Sequence, residues 1–324
     1  MKTVTYNTYG EPEAVLRVED EVLGEPGEGE VVVKLLASPI HPSDFGMIGG
    51  TYGKLRPLPA VAGREGIGEV VAVGAAVEAF KEGMWVKLPE NQGTWRQYCI
   101  VNQKELFLVP NDLPVEQAAM AFVNPATAWN LLHFFVELQA GDLIIQNAGN
   151  SALGYCVVQL AKYLGFKTVS IVRDIASDAD LQAAGADFVF TEKFLADNKL
   201  EKVIGSKAKL GLNSVGGESA INLIKNISDG GTLVTFGGMS SDPVRFPTRY
   251  LIFNDIRLRG FWMDRWIRES RPEVFHQLFD KIFSLIREKV ISIPVDQTFP
   301  LIQALDAVRA AKKPHRKGKI LFVG

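Results

Sequence analysis

The stretch that decides the fold is Ile144-Ile145-Gln146-Asn147-Ala148-Gly149-Asn150-Ser151-Ala152-Leu153-Gly154. An apolar strand runs into a turn of small residues and then into a helix. Small side chains let the backbone come close to a pyrophosphate, and the free N–H groups and dipole at the start of the next helix favour its negative charge. Gly149 and Gly154 hold the first and last places of the G-x-G-x-x-G spacing, with Ser151 in the middle. Beyond them Val157, Val158, Leu160, Ala161 and Leu164 share one helical face, and Gly165 closes the helix. A second strand, Val169–Val172, ends in Arg173. Strand, small-residue turn, helix and strand together predict a nucleotide site.

Outward from this point the pattern alternates. Between about Val115 and Glu288, candidate strands are Leu143–Asn147, Thr168–Val172, Phe188–Thr191, Leu210–Ser214, Thr232–Phe236 and Arg257–Trp262, with helical stretches between them. Such alternation implies a doubly wound parallel sheet whose ligand lies outside the carboxyl ends of the strands. Before it, Glu30–Leu36, Ile67–Val73, Trp85–Leu88 and Trp95–Val101 are short β-branched or aromatic runs between Gly and Pro. They predict an antiparallel, barrel-like β domain. A strand over Ile291–Thr298, a helix over Leu301–Ala311 and a strand over Lys319–Val323 are expected to return to that first domain. The expected division is therefore 1–114 with 289–324, and 115–288, with cofactor and substrate in a cleft between the two. Ala118–Phe135 is the most apolar longer stretch, but Asn124, Pro125, Asn130 and His133 interrupt it, so it reads as a buried helix and not a membrane span.

Composition narrows the function classes. A net charge of −2 over 324 residues provides no basic field for nucleic acid. Two cysteines, Cys99 and Cys156, are too few for a disulfide framework and suggest a reducing compartment. The start Met1-Lys2-Thr3-Val4-Thr5-Tyr6 shows neither an apolar signal core nor an arginine-rich leader, which leads to the expectation of a cytoplasmic protein.

Motifs across nearly the whole chain carry a resemblance. They are Pro39-Ile40-His41-Pro42-Ser43-Asp44, Gly50-Thr51-Tyr52-Gly53, Gly93-Thr94-Trp95-Arg96, Val123-Asn124-Pro125, Gln146-Asn147-Ala148, Val172-Arg173-Asp174, Gly237-Gly238-Met239 and Arg259-Gly260-Phe261-Trp262. In this combination and order the chain resembles the medium-chain dehydrogenase/reductase superfamily, and within it the mitochondrial-type 2-enoyl thioester reductases. The resemblance implies an α/β architecture, with a GroES-like β-barrel catalytic domain and a Rossmann nucleotide-binding domain. It also raises the question of zinc, which the alcohol dehydrogenases of the superfamily hold with Cys and His. Where those enzymes carry Gly-His-Glu this chain has Gly63-Arg64-Glu65, and two cysteines cannot supply a four-cysteine site, so no metal is expected.

The cofactor reading rests on Arg173. A 2′-phosphate needs a cation, and Arg173 stands 19 residues beyond Gly154, near the interval of about 20 at which the ribose is read. NADPH is the expected cofactor; the alternative is Asp174 on the ribose diol of NADH. The resemblance extends the cofactor set to Asn124, to Gly149, Asn150, Ser151, Ala152, Leu153 and Gly154, to Arg173 and Asp174, and to Phe236, Gly237, Gly238 and Met239. Phe261, Trp262, Met263 and Lys319 complete it, with Phe261 and Trp262 also walling an acyl pocket.

Without a metal, a nicotinamide needs an acceptor that is already activated, such as a double bond conjugated to a carbonyl. The protein must then place the acceptor, hydrogen-bond the developing enolate and supply a proton. Tyr52 is the expected catalytic residue, a neutral phenol among Gly49, Gly50 and Gly53. The resemblance implies an acyl thioester of coenzyme A or carrier protein as substrate, and a homodimer formed through the strand that leads into Phe261. The alternatives are a quinone or alkenal/enone reductase on the same fold, and a non-catalytic NADPH-binding protein of the crystallin or regulatory kind. Lys312, Lys313, Arg316, Lys317 and Lys319 form a basic cluster, expected as a solvated face or a landing site for an acidic carrier.

Overall fold

The computed structural model describes residues 1–175, 178–240 and 242–324. The chain divides into two compact units, Met1–Phe122 with Ile293–Gly324, and Val123–Ser292.

The first unit is built from short strands: β1 (Lys2–Tyr6), β2 (Arg17–Asp20), β3 (Glu30–Pro39), β4 (Ala60–Val61), β5 (Ile67–Val73), β6 (Trp85–Lys87), β7 (Tyr98–Asn102) and β8 (Phe107–Val109). β3 is its spine. Its first half pairs antiparallel with both β5 and β7. Its last three residues pair with a strand from the far end of the chain. Val31, Val33, Leu35, Val70, Val86 and Trp95 pack into one core with Phe322, whose ring meets the Trp95 indole edge-on with centroids 4.9 Å apart. Gly63 is obligatory here: at φ +90° its missing Cβ would lie 2.2 Å from Trp95 Cδ1.

His41 and Ser43 lie at the start of a helix over Pro42–Ile48. Pro42 suits the first turn, and the Asp44 carboxylate accepts from the His41 N–H at 2.7 Å. The long apolar stretch differs from its reading as one helix. It forms helices Val115–Ala119 and Asn124–His133, because Pro125, which has no N–H, sits where only the first turn of a helix tolerates it.

The second unit carries β9 (Leu143–Gln146), β10 (Lys167–Val172), β11 (Phe188–Thr191), β12 (Ala208–Asn213), β13 (Ile227–Thr235) and β14 (Arg257–Gly260) in one parallel sheet of order β11-β10-β9-β12-β13-β14. Chain order reverses at β9, between β10 and β12, the place where ligands meet such sheets. Ile145, Val169, Ile171, Leu223 and Leu233 share the core on one face. β9 is buried along its whole length, which is why its sequence is continuously apolar up to Gln146. β14 is an edge strand and is exposed throughout. The chain then returns to the first unit as β15 (Val295–Pro300), the helix Ala304–Lys312 and β16 (Lys319–Val323), the strand that closes onto β3.

Candidate active site

At the end of β9 the backbone turns through Ala148 at φ +47°, and Gly149 donates to the Ile171 carbonyl at 2.9 Å, which ties the turn to β10. Ser151 caps the helix Ala152–Leu164, its hydroxyl accepting from the Gly154 N–H at 3.1 Å. A Cβ on Gly154 would stand 2.2 Å from the Gly149 carbonyl oxygen, and one on Gly149 would stand 2.6 Å from Ser170 Cβ. The helix start therefore packs directly on the turn, as a phosphate cradle requires. Asn150 is exposed, Ser151 and Ala152 are half-buried, and Leu153 and Gly154 face the interior. Arg173 and Asp174 follow β10 in exposed positions.

Sequence reasoning missed a polar network under the ends of β9 and β12. Asn147 donates to Asn213 Oδ1 at 2.8 Å and to Ser219 Oγ at 2.9 Å, and its own carbonyl accepts from the Ser214 N–H at 2.8 Å. Asn213 donates to Thr235 Oγ1 at 3.0 Å, and its Oδ1 also accepts from the Gly216 N–H at 3.0 Å. Ser219 donates to Glu192, whose carboxyl burial pushes up. The signal was available: two apolar strands each end in a buried polar pair, Gln146-Asn147 and Asn213-Ser214. The segment Phe236–Met239 hangs from this frame, with Phe236 N–H on the Asn213 carbonyl and Met239 N–H on the Ser214 carbonyl, both at 3.0 Å. Gly237 has to be small because its Cβ would lie 3.0 Å from the Ser214 carbonyl.

Asn124 opens its helix with its Nδ2 buried and without a hydrogen-bond partner among the described residues. A buried amide donor left over in this way fits a ribose or carboxamide oxygen of a dinucleotide, as the cradle fits the pyrophosphate and Arg173 a 2′-phosphate. Phe261 follows β14, donates its N–H to the Thr235 carbonyl at 3.0 Å and lies edge-on to Phe135. Trp262 is half-buried, and Met263 is buried with its sulfur 3.6 Å from Asn130 Nδ2.

In the first unit Tyr52 is half-buried, its N–H on the Gly46 carbonyl at 3.1 Å and the Arg64 guanidinium 4.1 Å above its ring centre. Arg64 is itself held by Glu90 Oε1, from Nε at 2.6 Å and Nη2 at 2.5 Å. Nearby, His41 Nε2 meets Glu65 Oε2 at 2.6 Å, Glu65 Oε1 accepts from the Phe122 N–H at 2.7 Å, and His41 Nδ1 lies 3.2 Å from Lys319 Nζ. Lys319 also donates to the Ile40 carbonyl. With Nδ1 accepting from the lysine, the ring proton belongs on Nε2, directed at Glu65. Burial pulls Lys319 down to about 8 in spite of Glu65 and Asp44. Lys319 is thus buried at the start of β16, where Arg316 of the basic cluster still acts on it and helps to lower it. Lys312 of that cluster has its ammonium paired with Glu11 and Glu13 at 3.1 and 2.6 Å.

Residues 27–111 match the alcohol dehydrogenase GroES-like domain, and residues 152–283 match the zinc-binding dehydrogenase family. The mitochondrial enoyl-[acyl-carrier-protein] reductase of Rattus norvegicus is 40% identical over 322 residues, 97% of this chain and 86% of the rat protein. The chain belongs to the enoyl thioester reductase group of the medium-chain dehydrogenase/reductases.

Solved structures follow the whole chain. The mitochondrial 2-enoyl thioester reductase Etr1p/Etr2p heterodimer of Candida tropicalis superposes with a TM-score of 0.87 at 29% identity, covering 100% of this chain and 99% of its own. Etr1p in complex with NADP and crotonyl-CoA gives 0.89 at 29% identity over the same shares. A putative NADPH:quinone reductase of Bacillus thuringiensis gives 0.89 at 27% identity, with 100% and 98% covered. Among the described residues no three His, Cys, Asp or Glu side chains cluster to hold a metal, and Cys99 and Cys156 are each buried. No helix among the described residues is long and apolar enough to cross a membrane. The cytoplasmic expectation is corrected by the curated relatives, which are named as mitochondrial from rat to Dictyostelium discoideum. Leaders are removed from mature organellar proteins, so the residues at the start of a chain do not report its compartment.

Proposed function

We propose that this protein reduces the 2,3 double bond of 2-enoyl thioesters with NADPH, the thioester being carried by coenzyme A or acyl carrier protein. The observation that carries the reading is the Tyr52 phenol, half-buried with its N–H on the Gly46 carbonyl and a cation over its ring, in a chain that also has the small-residue turn Gly149–Gly154 and Arg173 after β10. The relatives support it, since their names give enoyl thioester reduction and one structure holds NADP with crotonyl-CoA.

In this mechanism the turn Gly149–Gly154 and the helix it opens bind the pyrophosphate, and Arg173, beside Asp174, grips the 2′-phosphate. Asn124 gives its unused amide N–H to the nicotinamide end, and the glycines of Phe236–Met239 let the backbone lie close to it. Lys319, which donates to the Ile40 carbonyl and faces His41 Nδ1, is the cofactor contact we assign to the first unit. Phe261, Trp262 and Met263 line the acyl chain's path and exclude water. Bound NADPH supplies the hydride, which enters the β-carbon of the acceptor. Tyr52 then donates a hydrogen bond to the carbonyl oxygen as charge gathers there and supports protonation of the α-carbon.

We also propose a homodimer through β14. Its exposed edge offers unpaired backbone groups, and beside it Ile252 and Phe253 are 71% and 76% exposed.

The test is NADPH oxidation with crotonyl-CoA and with 1,4-benzoquinone in parallel, for wild type and Tyr52→Phe. Crotonyl turnover that falls by about a hundredfold or more in the variant supports the reading. An inert thioester, with quinone turnover indifferent to Tyr52, overturns it in favour of a quinone reductase; NADPH binding without oxidation by either acceptor leaves a non-catalytic binding protein.

A further inference from the structure

We infer that Arg64 is a positioning residue for the reaction: its guanidinium, clamped by Glu90, sets the plane of the Tyr52 ring and eases the negative charge that develops on the phenol oxygen. The inference rests on the reading of Tyr52 as the proton donor.

A guanidinium only 5% exposed is costly to bury unless it is paired and hydrogen-bonded. Arg64 directs both Nε and Nη2 at one Glu90 oxygen, at 2.6 and 2.5 Å, which leaves its flat face for the phenol ring 4.1 Å away. Contact within about 6 Å of a ring centre is attractive, by roughly 0.5–2 kcal/mol with the higher end for desolvated pairs.

The platform beneath it is rigid for reasons already visible in the chain. Gly63 stands at φ +90° against Trp95, its carbonyl accepting from Arg56 Nη2 at 2.6 Å. The Glu65 carbonyl, two residues on, accepts from the Ser38 hydroxyl at 2.6 Å and the Thr94 hydroxyl at 3.2 Å. Tyr52, by contrast, sits beyond Gly49 and Gly50 in a turn held by backbone bonds to Gly46. The Arg64 guanidinium faces the ring borne by that turn, 4.1 Å from its centre, and so bears on its orientation. A fixed cation on the face of a phenol also attracts a phenolate more strongly than a neutral ring. It therefore contributes more as the proton leaves than before, which is the differential that lowers a barrier.

Other charges act on the same guanidinium and are part of its field. Asp44, in the helix Pro42–Ile48, is drawn down by Arg64 while burial pushes it up more. Arg56, buried beside Gly63, feels Glu90 and Asp44 as well as the repulsion of Arg64.

The test compares wild type, Arg64→Met, Arg64→Lys and Tyr52→Phe by melting temperature, by kcat and KM with crotonyl-CoA across pH, and by ultraviolet titration of the phenol. Six of the seven tyrosines are common to all four proteins, so the difference between each and Tyr52→Phe isolates Tyr52. Arg64→Met is expected to lose about tenfold in kcat with KM little changed, and to ionise Tyr52 at higher pH than wild type. Arg64→Lys, which keeps the charge for Glu90 and loses the plane, is expected to fall between the two. A folded Arg64→Met or Arg64→Lys with wild-type kcat and wild-type phenol titration overturns the inference. Full activity in Tyr52→Phe overturns the reading of Tyr52 itself, which the Arg64 variants alone would not reveal.

Discussion

Replacing Lys319 with methionine removes a cation from the interior of the first unit, and the structure sets the size and sign of the effect. Lys319 is 6% exposed and donates to the Ile40 carbonyl and to His41 Nδ1. Burial lowers its pKa from 10.5 to about 8, with Glu65 and Asp44 pulling the other way. Between about pH 8 and 10.5 the unfolded chain keeps a proton that the folded chain has released, so stability rises with pH across that window. The sign follows from a depressed folded value: the gain is complete above the unfolded pKa and is lost as pH falls through the folded one. At about 1.36 kcal/mol per pH unit, the gap amounts to about 3 kcal/mol. Methionine cannot titrate, so Lys319→Met should lack this rise. At neutral pH the variant is relieved of a buried charge but leaves the Ile40 carbonyl and His41 Nδ1 without their donor, at about 1–3 kcal/mol each. Urea unfolding of both proteins from about pH 7 to 10 separates the effects, because only the titrating part changes with pH. Parallel stability curves for wild type and variant would refute the placement of this lysine as a buried, desolvated cation.

Three further outcomes follow from other parts of the molecule. Gly154→Ala drives a Cβ to 2.2 Å from the Gly149 carbonyl and should cost about 1–3 kcal/mol and most NADPH affinity, read by melting and by cofactor fluorescence. Gly24→Ala, whose Cβ meets nothing within 4 Å, should leave both unchanged, and equal effects would refute the cradle. Arg173→Ser should raise KM for NADPH about tenfold, the size of one partly solvated charge-assisted contact, and leave KM for NADH alone; a rise for both cofactors would place Arg173 elsewhere than on the 2′-phosphate. Sedimentation should show a dimer that Ile252→Glu with Phe253→Glu converts to monomer, and a monomeric wild type contradicts association through β14.

Much of the fold was legible because its elements announce themselves locally. β9 is apolar up to Gln146 since both its faces are covered, and its end is marked by residues small enough for a helix to pack on the turn. The positions of Ile67–Val73, Phe188–Thr191 and Lys319–Val323 are read directly from their β-branched runs. What escaped sequence reasoning depends on residues far apart in the chain. Asn147 and Asn213 bond across neighbouring strands, and Ser219 and Glu192 join them from two different helices. No spacing rule links those four. Arg64 drew notice only for the imidazole it replaces in the superfamily pattern, whereas its place over Tyr52 depends on how two turns of the first unit fold together. Lys319 stands in a run of basic residues that reads as a solvated face, yet β16 carries it into the interior beside His41. The helix Pro42–Ile48 was hidden by its Pro-Ser-Asp start, a composition shared by turns and helix beginnings.

The central claim is hydride delivery to the β-carbon of an enoyl thioester by a chain whose Tyr52 hydrogen-bonds the developing enolate and supports its protonation. Its most direct measurement is mass spectrometry of the product formed from crotonyl-CoA and NADPH deuterated at the transferable position. The account predicts butyryl-CoA with one deuterium, on carbon 3, formed by the wild type and scarcely at all by Tyr52→Phe. Unchanged crotonyl-CoA, or the same labelled product formed equally well without the phenol, would contradict it.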